Sequence, residues 1–183
     1  METLKQFDEL TEPDQRNFYF CLVKGKEVAR RMTLKDVHEQ VSSITLHQNV
    51  PEDIKSHFAQ AQNLAVYSWF HYQLNVTAQL MAFVSVEYAL KKKTGTKCSF
   101  KSLIERAIAE GWIADEGFAM TELRDNQEES YVSVLSDVMP KLRNDLAHGT
   151  GMLHNNALSS LQICADFINQ LFPRCEQAGG VSR

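Results

Sequence analysis

Apolar residues recur at helical spacing along almost the whole chain, and strand-like alternation is nearly absent. The first helix is predicted to open at Thr11, an N-cap with Pro13 and Asp14 in the first turn. Its face would carry Phe18, Leu22 and Val28, and it should fade near Arg31. Thr33 followed by Asp36 has the form of a capping box and opens a shorter helix through Val37 and Val41. "TLHQNVP" then breaks the pattern ahead of Pro51. From Glu52 to Lys93 neither proline nor glycine occurs, which predicts one long helix or two abutting ones, bent near Asn63. The second half of that stretch presents Leu74, Ala78, Met81, Val84 and Tyr88 on one side, with Leu80, Phe83 and Leu90 close by. Such a stripe is too broad for a surface helix and must be packed on several sides.

"KKKTGTK" ends this central element: lysines suit the negative end of the helix dipole, and Gly95 suits the left-handed turn beyond it. Ser99 caps the next helix, with Leu103, Ile104, Ala107 and Ile108 at helical spacing and Gly111 as its stop. "ADEGFAMTELRDNQEES" is acidic and reads as a loop or weak helix. Tyr131, Val134, Leu135, Val138, Leu142 and Leu146 form another helical stripe, and Pro140 within it predicts a bend. Gly149 and Gly151 release the backbone. A last helix runs from about Asn155 to Phe172, carrying Leu158, Leu161, Ala165, Ile168 and Phe172 toward the core. The expectation is an all-α bundle with a long central helix. It divides into an N-terminal helical extension at 1–50 packed on the core, a core at 51–173, and a flexible tail at 174–183.

Composition narrows the function. The chain has 183 residues, 44% of them hydrophobic, with 19 Lys and Arg against 23 Asp and Glu, a net charge of −4. A polyanion would therefore be held by a local patch and not by global attraction. Ser56 to Val86 contains no Asp, Glu, Lys or Arg, yet Gln60, Gln62, Asn63, His71, Gln73, Asn75 and Gln79 interrupt it. No run reaches the roughly 18 to 20 continuous apolar residues of a membrane span, and a buried helix is expected instead. The mixed charges of "METLKQFDELTEPDQ" do not form a secretory signal. Cys21, Cys98, Cys164 and Cys175 lack zinc or redox-dithiol spacing and read as reduced, mostly buried thiols of a cytoplasmic protein. No metal or cofactor is expected.

"GTGMLH" has His154 where a dinucleotide loop needs its third glycine, and the Walker, His-Glu-x-x-His and Gly-x-Ser-x-Gly patterns are absent. "KLRNDLAHGTG" remains, with Arg143, Asn144 and His148 at a helix end. On an ideal helix Arg143 and His148 point about 140° apart, whereas Asn144 and His148 share a face. If Gly149 lets the last turn unwind, arginine and histidine can meet at one phosphate. A guanidinium would neutralise phosphoryl oxygens while an imidazole moves the proton of an RNA 2′-hydroxyl. Alternatively, a histidine and an arginine in a last turn simply face the helix dipole and solvent.

"LRNDLAHG" resembles the Arg-polar-x-x-x-His signature of the HEPN superfamily (higher eukaryotes and prokaryotes nucleotide-binding). "LAVYSWFHYQLNVTAQLMAFVSVEYALKKKTG" and "SFKSLIERAIAEGWI" resemble core helices of its bacterial members. The likeness covers roughly Leu64 to Phe172, leaving the first sixty or so residues as a family-specific extension. It implies an all-α, HEPN-like homodimer and a metal-independent endoribonuclease with a toxin–antitoxin, phage-defence or RNA-processing role. Arg143 and His148 would be its catalytic pair, with Asn144 as the polar residue after the arginine. A cognate antitoxin or a nucleotidyltransferase would be a partner. Other members of such families are non-catalytic dimerisation or effector-binding modules, and a nucleotide sensor using the Arg143 cleft is a further possibility.

Glu87, the first acid after the uncharged stretch, needs a partner if it is buried. Lys91 stands in the favourable order one turn on, while HEPN relatives suggest that Glu87 orients Arg143 or His148. Lys91, Lys92, Lys93, Lys97, Lys101 and Arg106 form the dense basic segment. It reads as a solvated helix end or, if it lies beside Arg143, as an RNA-binding surface. His154 could rim the same cleft. Trp69, Phe70 and Tyr72 are assigned to the core and not to base stacking.

Overall fold

The computed structural model describes residues 3–23, 29–123, 130–149 and 156–174. Where a helix's capping groups lie next to it in sequence, it forms as expected. Helix α1 (Leu34–Ser43) starts at Thr33, whose Oγ1 accepts from the Asp36 N–H at 3.3 Å while the Asp36 carboxylate accepts from the Thr33 N–H at 2.9 Å. Arg30 forks onto the same carboxylate at 2.7 and 2.6 Å. Its hydrogen bonds, then those of Thr33, hold Asp36 well below the usual carboxylate range. Helix α4 (Phe100–Ala109) is capped by Ser99, and Gly95 and Gly111 adopt the positive φ values of 66° and 65° that end the helix finishing at Thr94 and α4 itself.

The Glu52–Lys93 stretch is two helices, α2 (Glu52–Tyr67) and α3 (Leu74–Thr94), and the break lies between Ser68 and Gln73, not at Asn63. Groups from the N-terminal segment satisfy the backbone exposed by this break. The Asp14 carboxylate accepts from the Tyr72 N–H at 3.0 Å, and the Trp69 carbonyl accepts from Asn17 Nδ2 at 2.7 Å and from the Asp14 N–H at 2.9 Å. These partners are distant in sequence, so no local pattern announces the turn.

The same bonds explain why the expected helix from Thr11 to Arg31 does not form. Asp14 instead caps a short 3₁₀ turn, Gln15–Tyr19, after an earlier one at Phe7–Glu9. Cys21–Leu22 (β1) then pairs antiparallel with Arg30–Arg31 (β2), and Val28 lies outside the described residues. The aromatic run Phe18-Tyr19-Phe20 favours extended backbone over helix. Arg16 forks onto Asp14 at 2.8 and 2.7 Å and holds its carboxyl well below the usual range despite burial.

The acidic stretch before α5 forms two 3₁₀ turns, Asp115–Gly117 and Ala119–Leu123. Helix α5 (Tyr131–His148) is unbroken through Pro140, and α6 (Ala157–Leu171) follows. The described structure is an all-α bundle apart from the short β1–β2 pair. Helix α3 is central and packs against α2, α4, α5 and α6. Ala78, Ala82, Val86, Ala89 and Leu90 of α3 are fully buried, the small residues letting neighbouring helices approach. Tyr88, expected in that stripe, is instead 37% exposed. Val41, Ile44 and Val50 join the same core, as do Leu161, Phe167 and Ile168 of α6.

Trp69 and Tyr72 are buried, whereas Phe70 is only partly so. Cys164 is buried, which pushes its thiol pKa far up, but Cys21 and Cys98 are exposed free thiols, contrary to expectation. Gly151, His154, Cys175 and the tail from 175 onward lie outside the described residues. Among the described residues no helix is long and apolar enough to cross a membrane.

Candidate functional site

The last two turns of α5 hold the motif. Arg143 lies one turn from the buried residues Met139 and Leu146 and therefore leaves α5 at the edge of its core face. Its guanidinium crosses to α3, where Nη2 donates to Glu87 Oε2 at 2.6 Å, while Nη1 donates to Asn144 Oδ1 at 3.0 Å. Lys91 Nζ donates to the other oxygen of Glu87 at 2.7 Å. The two partners envisaged for Glu87 thus hold it together. That arrangement sets a carboxylate only 7% exposed between two cationic partners, each on its own oxygen. Arg143 Nε is buried without a hydrogen-bond partner among the described residues, while the side chain as a whole is 31% exposed.

His148 is the final residue of α5 and is exposed. The anticipated unwinding of the last turn does not occur. The helix continues to His148, and only Gly149, at φ 90°, leaves it. With the coil intact, His148 points about 140° away from Arg143 and lies opposite the core face. Among the described residues it makes no hydrogen bond to Arg143, Asn144 or Glu87. The fold therefore brings Glu87, Lys91, Arg143 and Asn144 together and leaves His148 apart from them.

The basic segment is largely occupied by the protein itself. Lys92 pairs with Asp53, and Lys101 with Asp137 at 2.6 Å and Glu105 at 3.8 Å. Lys93 donates to the Leu171 carbonyl at 2.6 Å, between the rings of Trp112 at 4.7 Å and Phe172 at 5.5 Å. That contact ties the end of α3 to the end of α6. Arg106 lies 3.8 Å from Glu110. Lys97 is exposed and makes no ion pair among the described residues.

One cluster has no local sequence signal. His57 Nδ1 lies 2.9 Å from Ser85 Oγ, and its ring stacks on Tyr88, whose hydroxyl donates to Asp53 at 2.6 Å. Lys92 and then Tyr88 lower the Asp53 pKa to about 2, and Asp53 in turn raises that of Tyr88. Ser85 is fully buried and donates its proton to the Met81 carbonyl at 2.8 Å, so its contact with His57 joins helices and offers no nucleophile. Among the described residues no group of three or more His, Cys, Asp or Glu side chains could hold a metal ion. No family model, curated protein or solved structure matches the chain.

Proposed function

We propose that the chain is a metal-independent endoribonuclease of the HEPN type, acting as a homodimer whose cleft combines Arg143 of one copy with His148 of the other. The observation that carries this reading is the Arg143 guanidinium, oriented by Glu87 and Asn144 at the end of the helix that terminates in an exposed His148. A guanidinium has five N–H donors, and two of Arg143's are committed to these partners. Donors on both Nη atoms remain for phosphoryl oxygens. Because α5 directs the two groups apart within one chain, twofold pairing is the route by which they would share a phosphate. The imidazole takes the proton of a ribose 2′-hydroxyl, whose oxygen attacks the adjacent phosphorus. The arginine stabilises the pentacovalent phosphate. The bond to the 5′-oxygen breaks, the imidazolium passes its proton to that oxygen, and a 2′,3′-cyclic phosphate remains.

The test uses single-stranded RNA with and without chelator, the variants Arg143→Lys and His148→Asn, and a mixed dimer of the two. Each homodimeric variant should lose about a hundredfold or more in rate, and chelator should have no effect. The mixed dimer should regain about half of the wild-type rate, because one composite site retains both native groups. Chelator-sensitive cleavage, or full activity in both variants, counts against the reading. A second reading, a non-catalytic dimerisation or effector-binding module, is favoured by the occupied lysines. It predicts association without turnover at any pH.

A further inference from the structure

A groove of about 690 Å³ runs between α1 and α2, floored by Leu34 and Val41 on one side and Ala59 and Val66 on the other. It lies on helices that carry none of the Arg143 network. At one end stand Tyr67 and Phe70, ring centroids 6.5 Å apart and tilted by 42°, with Tyr67 58% exposed. Tyr67 is the open ring of the two and Phe70 is partly buried, so the groove ends in one exposed aromatic face backed by a second ring.

The polar rim is equally specific. Gln62 Nε2 is committed to the carbonyls of Val41 at 3.2 Å and Ile44 at 2.9 Å, which holds its Oε1 as an acceptor. Asn63 is exposed and makes no side-chain hydrogen bond among the described residues. It supplies an amide donor and acceptor one turn before Tyr67. Across the groove α1 contributes Lys35, in a loose exposed pair with Glu39 at 3.7 Å, and His38, whose Nδ1 is 3.4 Å from Ser42 Oγ. An apolar floor, an aromatic end, one amide fixed by Gln62's backbone contacts and a lysine on the rim suit a planar heteroaromatic ring carrying an anion, and the volume fits a ligand of that size.

We propose that this groove binds a nucleotide unit, its base against Tyr67 and Phe70 and its phosphate toward Lys35 and His38. The unit is either a free mononucleotide or one unstacked nucleotide of a single strand. Glu39 beside Lys35 makes the anion contact weak and salt-sensitive.

Calorimetric titration with AMP, GMP, CMP and UMP tests this, alongside adenosine, inorganic phosphate and a short oligoadenylate. At least one mononucleotide should bind, and phosphate alone should not. Tyr67→Ala and Lys35→Ala, both at exposed positions, should each weaken that binding about tenfold. Tighter binding of oligoadenylate than of AMP identifies a single strand as the source, and the reverse identifies a free nucleotide. The proposal is overturned if neither the mononucleotides nor the oligonucleotide bind at millimolar concentration, if adenosine binds as tightly as AMP, or if Tyr67→Ala binds undiminished. The titrations are repeated on Arg143→Lys, so that any nucleotide held at the Arg143 cleft is separated from binding at the groove, which Tyr67→Ala removes, and this test and the cleavage test fail independently.

Discussion

Glu87 concentrates at one residue the link between charge, packing and the candidate site. One oxygen meets Arg143 and the other Lys91, and both cations come from turns that would otherwise lack a buried counter-charge. Glu87→Gln removes that charge while keeping the shape. It is expected to cost about 1–3 kcal/mol in urea unfolding, because two charged hydrogen bonds weaken at a buried position. Lys91→Ala should cost much less, about 0.3–0.5 kcal/mol, since the lysine is half-exposed and one turn from its partner on the same helix. Equal losses for the two substitutions would mean that Arg143 adds nothing to holding Glu87. The importance of Glu87 was legible in the sequence, as an acid following a long uncharged run, and so was Lys91. That it takes both partners at once was not, because the Arg143 contact joins separate helices and depends on their packing.

At the scale of elements, helix ends divide by where their partners come from. Thr33, Ser99, Gly95 and Gly111 act on adjacent backbone, and the boundaries they set match the sequence pattern closely. Helix α5 begins differently. The Asp115 carboxylate accepts from the N–H groups of Tyr131 at 2.8 Å and Val132 at 2.9 Å and from Ser130 Oγ at 3.0 Å. It serves as an N-cap from an earlier turn and sets an acid against the positive end of the helix dipole. Asp115→Ala should lower stability by about 1–2 kcal/mol and speed amide exchange in the first turn of α5, while exchange at its His148 end stays unchanged. Uniform acceleration along the helix would show that Asp115 supports more than that terminus. The turn between α2 and α3 follows the same logic, with Asp14 and Asn17 supplying its bonds, and for that reason the expected first helix is replaced by 3₁₀ turns.

For the molecule as a whole, the net charge of −4 conceals carboxylates tied to specific cations. Asp14 and Asp36 are held well below their ordinary range by Arg16 and Arg30, and Asp53 is lowered to about 2 by Lys92 and Tyr88. A carboxyl whose folded pKa is depressed adds stability above its unfolded value of about 4, and that contribution is lost as pH falls through the folded value. Asp166 acts in the opposite sense, since burial raises its pKa. The thermal midpoint should therefore fall between about pH 4 and pH 2. Asp14→Asn and Asp36→Asn should each lower it at neutral pH and flatten that acid slope. An unchanged slope in both would place the acid sensitivity elsewhere.

What the sequence determined by itself is whatever acts within a turn or two of chain. That includes the helical class, most helix spans, the local caps and the placement of Arg143, Asn144 and His148 at one helix end, since hydrophobic periodicity and capping are short-range effects. The tertiary structure alone decided the break between α2 and α3, the 3₁₀ start, the occupation of the lysines and the direction in which Arg143 is held. Each of these depends on a polar group finding a partner distant in sequence, buried as at Asp14 and Glu87 or exposed as at Lys92 and Lys101, and such partnerships leave no periodic trace along the chain.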